Sequence, residues 1–163
     1  MEEKTEERIR QISSKSAEYP QKLNNYPKMP EILFAKGNLP DAKKPTAAIV
    51  GARACSPYGR IQAFRYAKIL SSAGVQIISG MAYGIDAEAH KGALEGGTPT
   101  YAVLAGGVDI CYPSGNRPLY DRILREILAP YANVRGPLVL HSVLAQVNGG
   151  EGQLIDPAED ILI

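Results

Sequence analysis

The segment that most constrains the fold runs from Thr46 to Ile61, where a glycine turn joins a short apolar run to an amphipathic stretch. The apolar run Ala-Ala-Ile-Val (47–50) predicts a strand that is buried on both faces of a sheet. Ser56 and Pro57 come after the turn and are typical of the N-cap and the first position of a helix. The segment therefore predicts a strand, a tight turn and a helix.

The turn itself, Gly51-Ala52-Arg53, has the chemistry of an anion site. The free backbone N–H groups of such a turn and the positive end of a helix dipole favour a phosphate. The guanidinium of Arg53 adds a forked hydrogen-bond donor. The alternative is that Gly51 only permits a sharp turn and that Arg53 is a solvated charge. One turn alone does not decide between the two.

The same pattern recurs twice. A strand predicted at 75–79 ends at Gly80, and another at 100–105 ends at Gly106-Gly107. Strands that alternate with helices predict the α/β class, here a Rossmann-like parallel sheet with helices on both faces and a short polar N-terminal extension. The carboxyl ends of parallel strands share one edge, where ligands bind. The three turns therefore predict a phosphate or nucleotide site at that edge.

The remaining elements follow from periodicity and from stop signals. Helices are predicted at 57–72, from Asp86 to Leu94, and at 118–128, and the first of these is expected to bury Ile61, Phe64, Ala67 and Ile69. Residues 1–18 predict a short helix or a frayed end, 20–28 one helical turn, 32–35 a short strand, and 138–147 a strand or a helix, with its Val and Leu content favouring a strand. We place the domain boundary after residue 45, with an N-terminal extension and linker at 1–45 and the Rossmann-like domain at 46–163.

Bulk properties exclude several classes of protein. The formal net charge is +1, and residues 41–136 hold eleven Lys and Arg against seven Asp and Glu. This mildly basic balance is compatible with a phosphate-bearing partner, although it is not the strong basic signature of a dedicated DNA binder. The two cysteines have no metal-ligand partner at a recognisable spacing, so we expect no metal. No apolar run is long enough to span a membrane, and we expect a cytoplasmic protein without membrane association.

Two common nucleotide motifs are missing. The strand predicted at 47–50 is not followed by Gly-x-Gly-x-x-Gly, and the chain has no Gly-Lys-Ser/Thr loop. An ordinary NAD or ATP site is therefore disfavoured, and we expect no cofactor.

Three segments, IVGARACSPYG (49–59), IISGMAYGIDAEAHKGALEGG (77–97) and AVLAGGVDICYPSGNRPLY (102–120), resemble the DNA-processing protein A family, DprA/Smf. The likeness covers about residues 19–126. It implies a Rossmann-like domain that binds single-stranded DNA, dimerises and loads the RecA recombinase during natural transformation, without being chiefly an enzyme. The family's later motifs are not legible after Leu128, so we expect the second half of its domain to be shortened here.

The turns and the resemblance together indicate the residues that contact DNA or its phosphates. These are Gly51, Ala52, Arg53, Ser56, Ser79, Gly80, Gly84, Gly106, Gly107 and Asn116. No catalytic residue is assigned.

Three further residues have open roles. Asp86 could cap a helix or act as an acid. His90 lies one turn later, so the two could share a structural hydrogen bond or do acid–base work. Tyr112, like Tyr58 and Tyr83, stands beside a glycine turn and could stack on bases or be half-buried.

The alternative function is a nucleotide-binding enzyme, such as a nucleoside monophosphate phosphoribohydrolase from the wider fold group. The Pro-Gly-Gly-x-Gly-Thr-x-x-Glu stretch of that class is absent, and carboxylates near the glycine edge are few: Asp86, Glu88 and Asp109. A third possibility is a stable but functionally incomplete remnant.

Overall fold

The computed structural model describes residues 9–37, 39–126 and 142–144 of the chain. The elements in these ranges are, in chain order, β1 (Ile9–Ser13), a 3₁₀ helix (Gln21–Asn25), β2 (Ile32–Lys36), β3 (Thr46–Ala48), α1 (Pro57–Ser72), β4 (Gln76–Ser79), α2 (Ile85–Gly96), β5 (Thr100–Val103), a 3₁₀ helix (Ser114–Asn116), α3 (Arg117–Glu126) and β6 (Ser142–Leu144).

The strands of the described residues form one mixed sheet in the order β1-β2-β6-β5-β4-β3. Strands β3, β4, β5 and β6 are parallel, with Ala47 opposite Ile77 and Ile78 opposite Tyr101. The α/β class and the parallel sheet are therefore confirmed, and the strand favoured for 138–147 is present at Ser142–Leu144. The sheet as a whole is mixed, because β2 runs antiparallel to both β1 and β6.

The N-terminal part of the chain differs from its prediction. Residues 9–13 form a strand, not a helix, and Ile12 pairs with Leu33 in a small core of their own. The paired residues of the two strands are 19 to 27 positions apart, so local periodicity could not reveal the pairing. Residues 1–8 of the predicted helix lie outside the described residues. The domain boundary after residue 45 stays a prediction, although the hairpin before it shares a sheet with the strands after it.

Helix α1 begins and ends where the sequence predicts. The Ser56 side chain caps it by accepting a hydrogen bond from the backbone N–H of Gly59 at 3.1 Å, and Pro57 occupies the first turn. Gly74 follows the last turn with a φ of +86°, the left-handed conformation that glycine adopts at helix ends.

The buried face of α1 differs from the predicted one. Ala63, Ala67 and Ser71 are buried, whereas Ile61 and Ile69 are 62% and 54% exposed. Small side chains face inward because α2 crosses very close to α1. The structure has no room for a Cβ at Gly92, whose position in α2 abuts the Phe64 carbonyl group.

The three α-helices of the described residues pack on one face of the sheet. Ile77 of β4 forms a cluster with Ala67 of α1 and Ala89 of α2, and Ala102 of β5 lies in a second cluster with Ile123 of α3. Ile77 and Ala102 share this face because side chains alternate along a strand and the register aligns them. Within the described residues, the α-helices therefore cover one face of the sheet.

Strand β3 is not buried on both faces, which corrects the prediction for 47–50. Ala48 is exposed, and Val50, just after the strand, is 57% exposed. The reason is its place in the sheet, because β3 is an edge strand and pairs only with β4 in the described residues. Among the described helices, none has both the length and the apolar character needed to cross a membrane.

Candidate functional site

The structure brings the three glycine turns together at the carboxyl ends of β3, β4 and β5. Arg53 from the first turn, Gly80 from the second and Gly106 from the third line one pocket, with a volume of about 470 Å³. This arrangement follows from the parallel register, which places successive strand ends at one edge of the sheet.

Asp86 ties two of these turns to the start of α2. Its Oδ1 accepts a hydrogen bond from the backbone N–H of Gly51 at 3.2 Å, and its Oδ2 accepts one from the N–H of Gly80 at 3.1 Å. The carboxylate is 94% buried and lies in the first turn of the helix, where the positive end of the dipole favours a negative charge. Asp86 is therefore a clamp between turns.

Two predictions are corrected by this geometry. Asp86 is not the helix cap, because Gly84 occupies the N-cap position and no side chain caps α2. The N–H groups of Gly51 and Gly80, which were predicted to hold phosphate, donate instead to a carboxylate of the protein itself. A phosphate at this edge needs other donors.

A second set of contacts fixes the first turn from the same side. The backbone N–H of Ile85 donates to the Ala52 carbonyl at 3.3 Å. Gly84 has a φ of +79°, and a Cβ at that position would clash with the Ala52 and Arg53 carbonyl oxygens. A Cβ at Gly51 would lie 2.8 Å from the Ile85 side chain. The turn is therefore held tightly by its backbone.

Arg53 projects from this fixed turn. It is exposed, and it has no ion-pair partner within residues 9–126. Two other arginines near the helix starts are paired: Arg60 lies 3.8 Å from Glu88, and Arg117 lies 2.8 Å from Asp121. Arg53 thus offers an uncompensated guanidinium at the pocket.

Three residues predicted to contact DNA make structural hydrogen bonds within the chain. Ser79 is fully buried and donates a hydrogen bond from Oγ to the Ile49 carbonyl at 2.6 Å. Asn116 is buried and donates from Nδ2 to the Met81 carbonyl at 2.7 Å. The Ser56 oxygen is used as the helix cap described above. These side chains hold the strand ends in place, and burial keeps Ser79 and Asn116 away from a ligand.

His90 lies in the core between α2 and β5. Its Nδ1 is 2.8 Å from the Thr100 hydroxyl, which itself donates to the Ile77 carbonyl at 2.9 Å. The Nδ1 therefore carries the proton, and the unprotonated Nε2 has no partner within the described residues. Burial lowers the pKa of His90 to about 4.

The predicted acid–base pair of Asp86 and His90 is not formed. The Asp86 carboxylate is bound to two backbone N–H groups, and the imidazole is bound to Thr100. The alternative, a structural hydrogen bond shared by Asp86 and His90, is not formed either, because each side chain bonds to other partners.

The third turn supplies the remaining wall of the pocket. Gly106 lines it, whereas Gly107 lies with Asp109 on a neighbouring pocket of about 300 Å³. Tyr112 and Tyr83 line the wall and are 71% and 47% exposed. Ile110, which is also exposed in this wall, was not predicted; its place in the loop after the third glycine turn was the signal available in the sequence.

These features define a Rossmann-like α/β domain with a pocket at the carboxyl ends of its parallel strands. A family model described as DNA recombination-mediator protein A matches residues 10–137, and the chain belongs to that family. The predicted resemblance to DprA/Smf is thereby confirmed.

Relatives of known sequence support the assignment. The DNA processing protein DprA of Streptococcus pneumoniae is 40% identical over 125 residues, which cover 76% of this chain and 44% of that protein. Protein Smf of Borreliella burgdorferi is 35% identical over 124 residues, which cover 76% of this chain and 39% of that protein. The chain thus spans less than half the length of these two curated relatives.

Two solved structures share the fold. DprA from Streptococcus pneumoniae matches with a TM-score of 0.67 at 32% identity, over 91% of this chain and 47% of that one. DprA from Helicobacter pylori, whose structure concerns its single-stranded DNA binding mode, matches with a TM-score of 0.59 at 25% identity, over 71% and 51% of the two chains.

Proposed function

We propose that this chain binds single-stranded DNA across the carboxyl edge of its parallel strands, as part of DNA processing in natural transformation. The observation that carries the proposal is Arg53, an exposed arginine without an ion-pair partner in the described residues, which projects from a clamped turn into the pocket. A guanidinium in a fixed position suits a phosphate oxygen pair. Because hydrogen bonds within the protein already hold the turn in one conformation, DNA binding costs little backbone conformational entropy.

The arrangement of carboxylates favours binding over chemistry. Within the described residues, no Asp or Glu lines the pocket that holds Arg53. Asp86 is buried against two N–H groups, and Glu88 lies 2.9 Å from Lys91. Asp109 lines the neighbouring pocket. A nucleic-acid phosphate in this pocket therefore meets the positive charge of Arg53, and no carboxylate of the described residues is among the residues that line the pocket.

The relatives add support of a different kind. The Helicobacter pylori protein has a described single-stranded DNA binding mode, and it shares the fold of this chain. We extend that substrate class to this chain and keep its finer properties as predictions. Homodimer formation and contact with RecA follow only from the resemblance, and we assign neither to a surface.

A second candidate is binding and hydrolysis of a nucleoside monophosphate. A pocket of about 470 Å³ is within the usual range for small-molecule sites of about 300–1,000 Å³. This candidate predicts release of free base from the monophosphate, with loss of activity in Asp109→Asn, and it predicts that a mononucleotide competes with DNA.

The experiment is a competition measured by fluorescence anisotropy. The full chain is titrated with a labelled oligo-dT of about 20 nucleotides at low salt, where phosphate contacts are strong. We expect saturable binding that unlabelled oligo-dT reverses and that thymidine monophosphate, at the same nucleotide concentration, does not. Equal displacement by the monophosphate would favour the enzyme, and absence of DNA binding by a folded chain would overturn the proposal.

A further inference from the structure

Helix α1 has an apolar outer face that the described part of the chain does not cover. Tyr58, Ile61 and Ile69 lie on the side of the helix opposite its buried residues, and they are 71%, 62% and 54% exposed. Their spacing along the helix brings all three to the same face. Large apolar side chains that are grouped on an exposed surface mark a place where another molecule binds.

This outer face borders an open groove of about 590 Å³ beside α2. Ile61, Phe64 and Ile69 are its apolar lining residues, and all three come from α1. The stretch from Ile61 to Ile69 is about 12 Å long, at about 1.5 Å per helical residue. A shallow groove that follows a helix for about two turns has the shape that receives a peptide segment, which is a recurring mode of protein recognition.

The charged lining of the groove is mainly basic. Its cations are Arg60, Arg65 and Lys68. The one carboxylate among its described lining residues is Glu88, which lies 3.8 Å from Arg60. Lys68 lies 3.1 Å from Glu95, a residue outside the groove, whereas Arg65 is exposed and has no ion-pair partner within the described residues. A molecule that fits this groove therefore supplies negative charge together with apolar side chains.

We infer that the groove is a docking site for an acidic, apolar peptide segment of a partner protein. Charge complementarity favours this occupant, because acidic side chains match the three cations while apolar ones cover Ile61 and Ile69. Nucleic-acid phosphates match the cations alone. A second copy of α1 brings its own cations against these, so like charges disfavour pairing of two α1 helices.

This inference is independent of the proposed function. The groove and the pocket that holds Arg53 have no lining residue in common. A change at one surface is therefore expected to leave binding at the other intact, and the two can be tested on the same protein.

The probe is a synthetic peptide with the sequence of residues 151–163, EGQLIDPAEDILI. These residues lie outside the described part of the chain, and they hold four acidic residues, five Leu or Ile, and no Lys or Arg. The labelled peptide is titrated against the full chain by fluorescence anisotropy. A second peptide, with Gln or Asn in place of the four acids, measures the contribution of charge. We expect it to bind at least about tenfold more weakly.

Two variants test the two parts of the groove. Ile61→Ala is expected to weaken binding of the acidic peptide at least about fivefold, because it removes an apolar anchor. Arg65→Ala is expected to weaken it about threefold, because its charge is exposed to solvent. Tyr66→Ala is the matched control, expected to stay within about twofold of wild type, since Tyr66 is 58% exposed on α1 and does not line the groove. Circular dichroism checks that each variant folds.

A pair of arginines separates this surface from the DNA site. Arg53→Ala is expected to bind the peptide as the wild type does, and Arg65→Ala to bind oligo-dT as the wild type does. An oligo-dT of about 20 nucleotides is expected to leave the peptide bound to Arg53→Ala. Displacement of the peptide from that variant would show that the groove binds nucleic acid, and it would overturn the inference.

The chain's own acidic segment is tested as an occupant in the same way. The peptide is titrated against a full chain that carries Glu151→Gln, Asp156→Asn, Glu159→Gln and Asp160→Asn. Equal binding to this chain and to the wild type supports docking of a partner. Binding to this chain alone would assign the groove to the protein's own segment and overturn the inference. Equal binding of the acidic and neutral peptides, or no binding of the acidic peptide by either folded chain, would overturn it as well.

Discussion

The backbone N–H of Gly51 donates a hydrogen bond to Oδ1 of Asp86 at 3.2 Å, across 35 residues of sequence. The other carboxylate oxygen of Asp86 accepts from the N–H of Gly80 at 3.1 Å. One buried carboxylate thereby fixes two of the three glycine turns to the first turn of α2. The edge of the sheet is rigid for this reason, and Arg53 projects from a turn that the protein itself holds in place.

Asp86→Ala is expected to lower the free energy of unfolding by about 3 kcal/mol or more, because two backbone donors lose a charged acceptor at a cost of roughly 1–3 kcal/mol each. Glu95→Ala is the control, since Glu95 makes an exposed ion pair with Lys68 at 3.1 Å and such pairs contribute about 0–1 kcal/mol. Urea unfolding followed by circular dichroism measures both. Equal losses in the two variants would contradict the clamp.

Two glycines of the site make a matched pair for a second prediction. A Cβ at Gly51 would lie 2.8 Å from the Ile85 side chain, whereas a Cβ at Gly106 meets nothing within 4 Å. Gly51→Ala is therefore expected to lower the unfolding free energy by about 1–3 kcal/mol, and Gly106→Ala to change it by less than about 0.5 kcal/mol. Thermal unfolding of both variants is the measurement. If Gly51→Ala were as stable as the wild type, the close packing of the first turn against α2 would be contradicted.

A third prediction concerns pH. Burial lowers the pKa of His90 from 6.5 to about 4 in the folded chain, so between these values the unfolded chain binds more protons. Stability therefore falls as the pH drops from 6.5 towards 4, by up to about 3 kcal/mol from this residue, and no further below the folded pKa.

The contribution of His90 is isolated by subtraction. His90→Gln carries no imidazole at this position, so the difference in unfolding free energy between the wild type and this variant is expected to change over that pH window. The other titratable groups are common to both proteins, so their contributions cancel in this difference. A difference that stays constant from pH 7 to pH 4 would contradict the lowered pKa of His90 in the folded chain.

The sequence predicted the elements whose signals are local. The cap at Ser56, the proline after it and the stop at Gly74 bound α1 correctly, because each acts through its immediate neighbours. The sequence also predicted that the three glycine turns lie at one edge of the sheet, because this depends only on the strands being parallel.

The contacts that fix the site were not predictable in the same way. Strand β1 is stabilised by pairing with β2, where Ile12 lies opposite Leu33, and this contact forms only in the folded chain. Asp86 has the sequence context of a helix cap, yet its partners are brought to it by β3 and β4. The burial of Ser79 and Asn116 likewise depends on the residues that pack over them. Both were predicted to contact DNA, and both hydrogen-bond to backbone carbonyl groups of neighbouring segments.

The most direct test of the account is the salt dependence of DNA binding by Arg53→Ala, with Arg65→Ala as the control. Arg65 is an exposed arginine of α1 that does not line the pocket. Each phosphate contact contributes about 0.7 to the slope of log affinity against log salt on single-stranded DNA. We expect Arg53→Ala to bind more weakly with a slope shallower by about 0.7, and Arg65→Ala to match the wild type. An Arg53→Ala variant with wild-type affinity and slope would contradict the assignment of this edge as the DNA site.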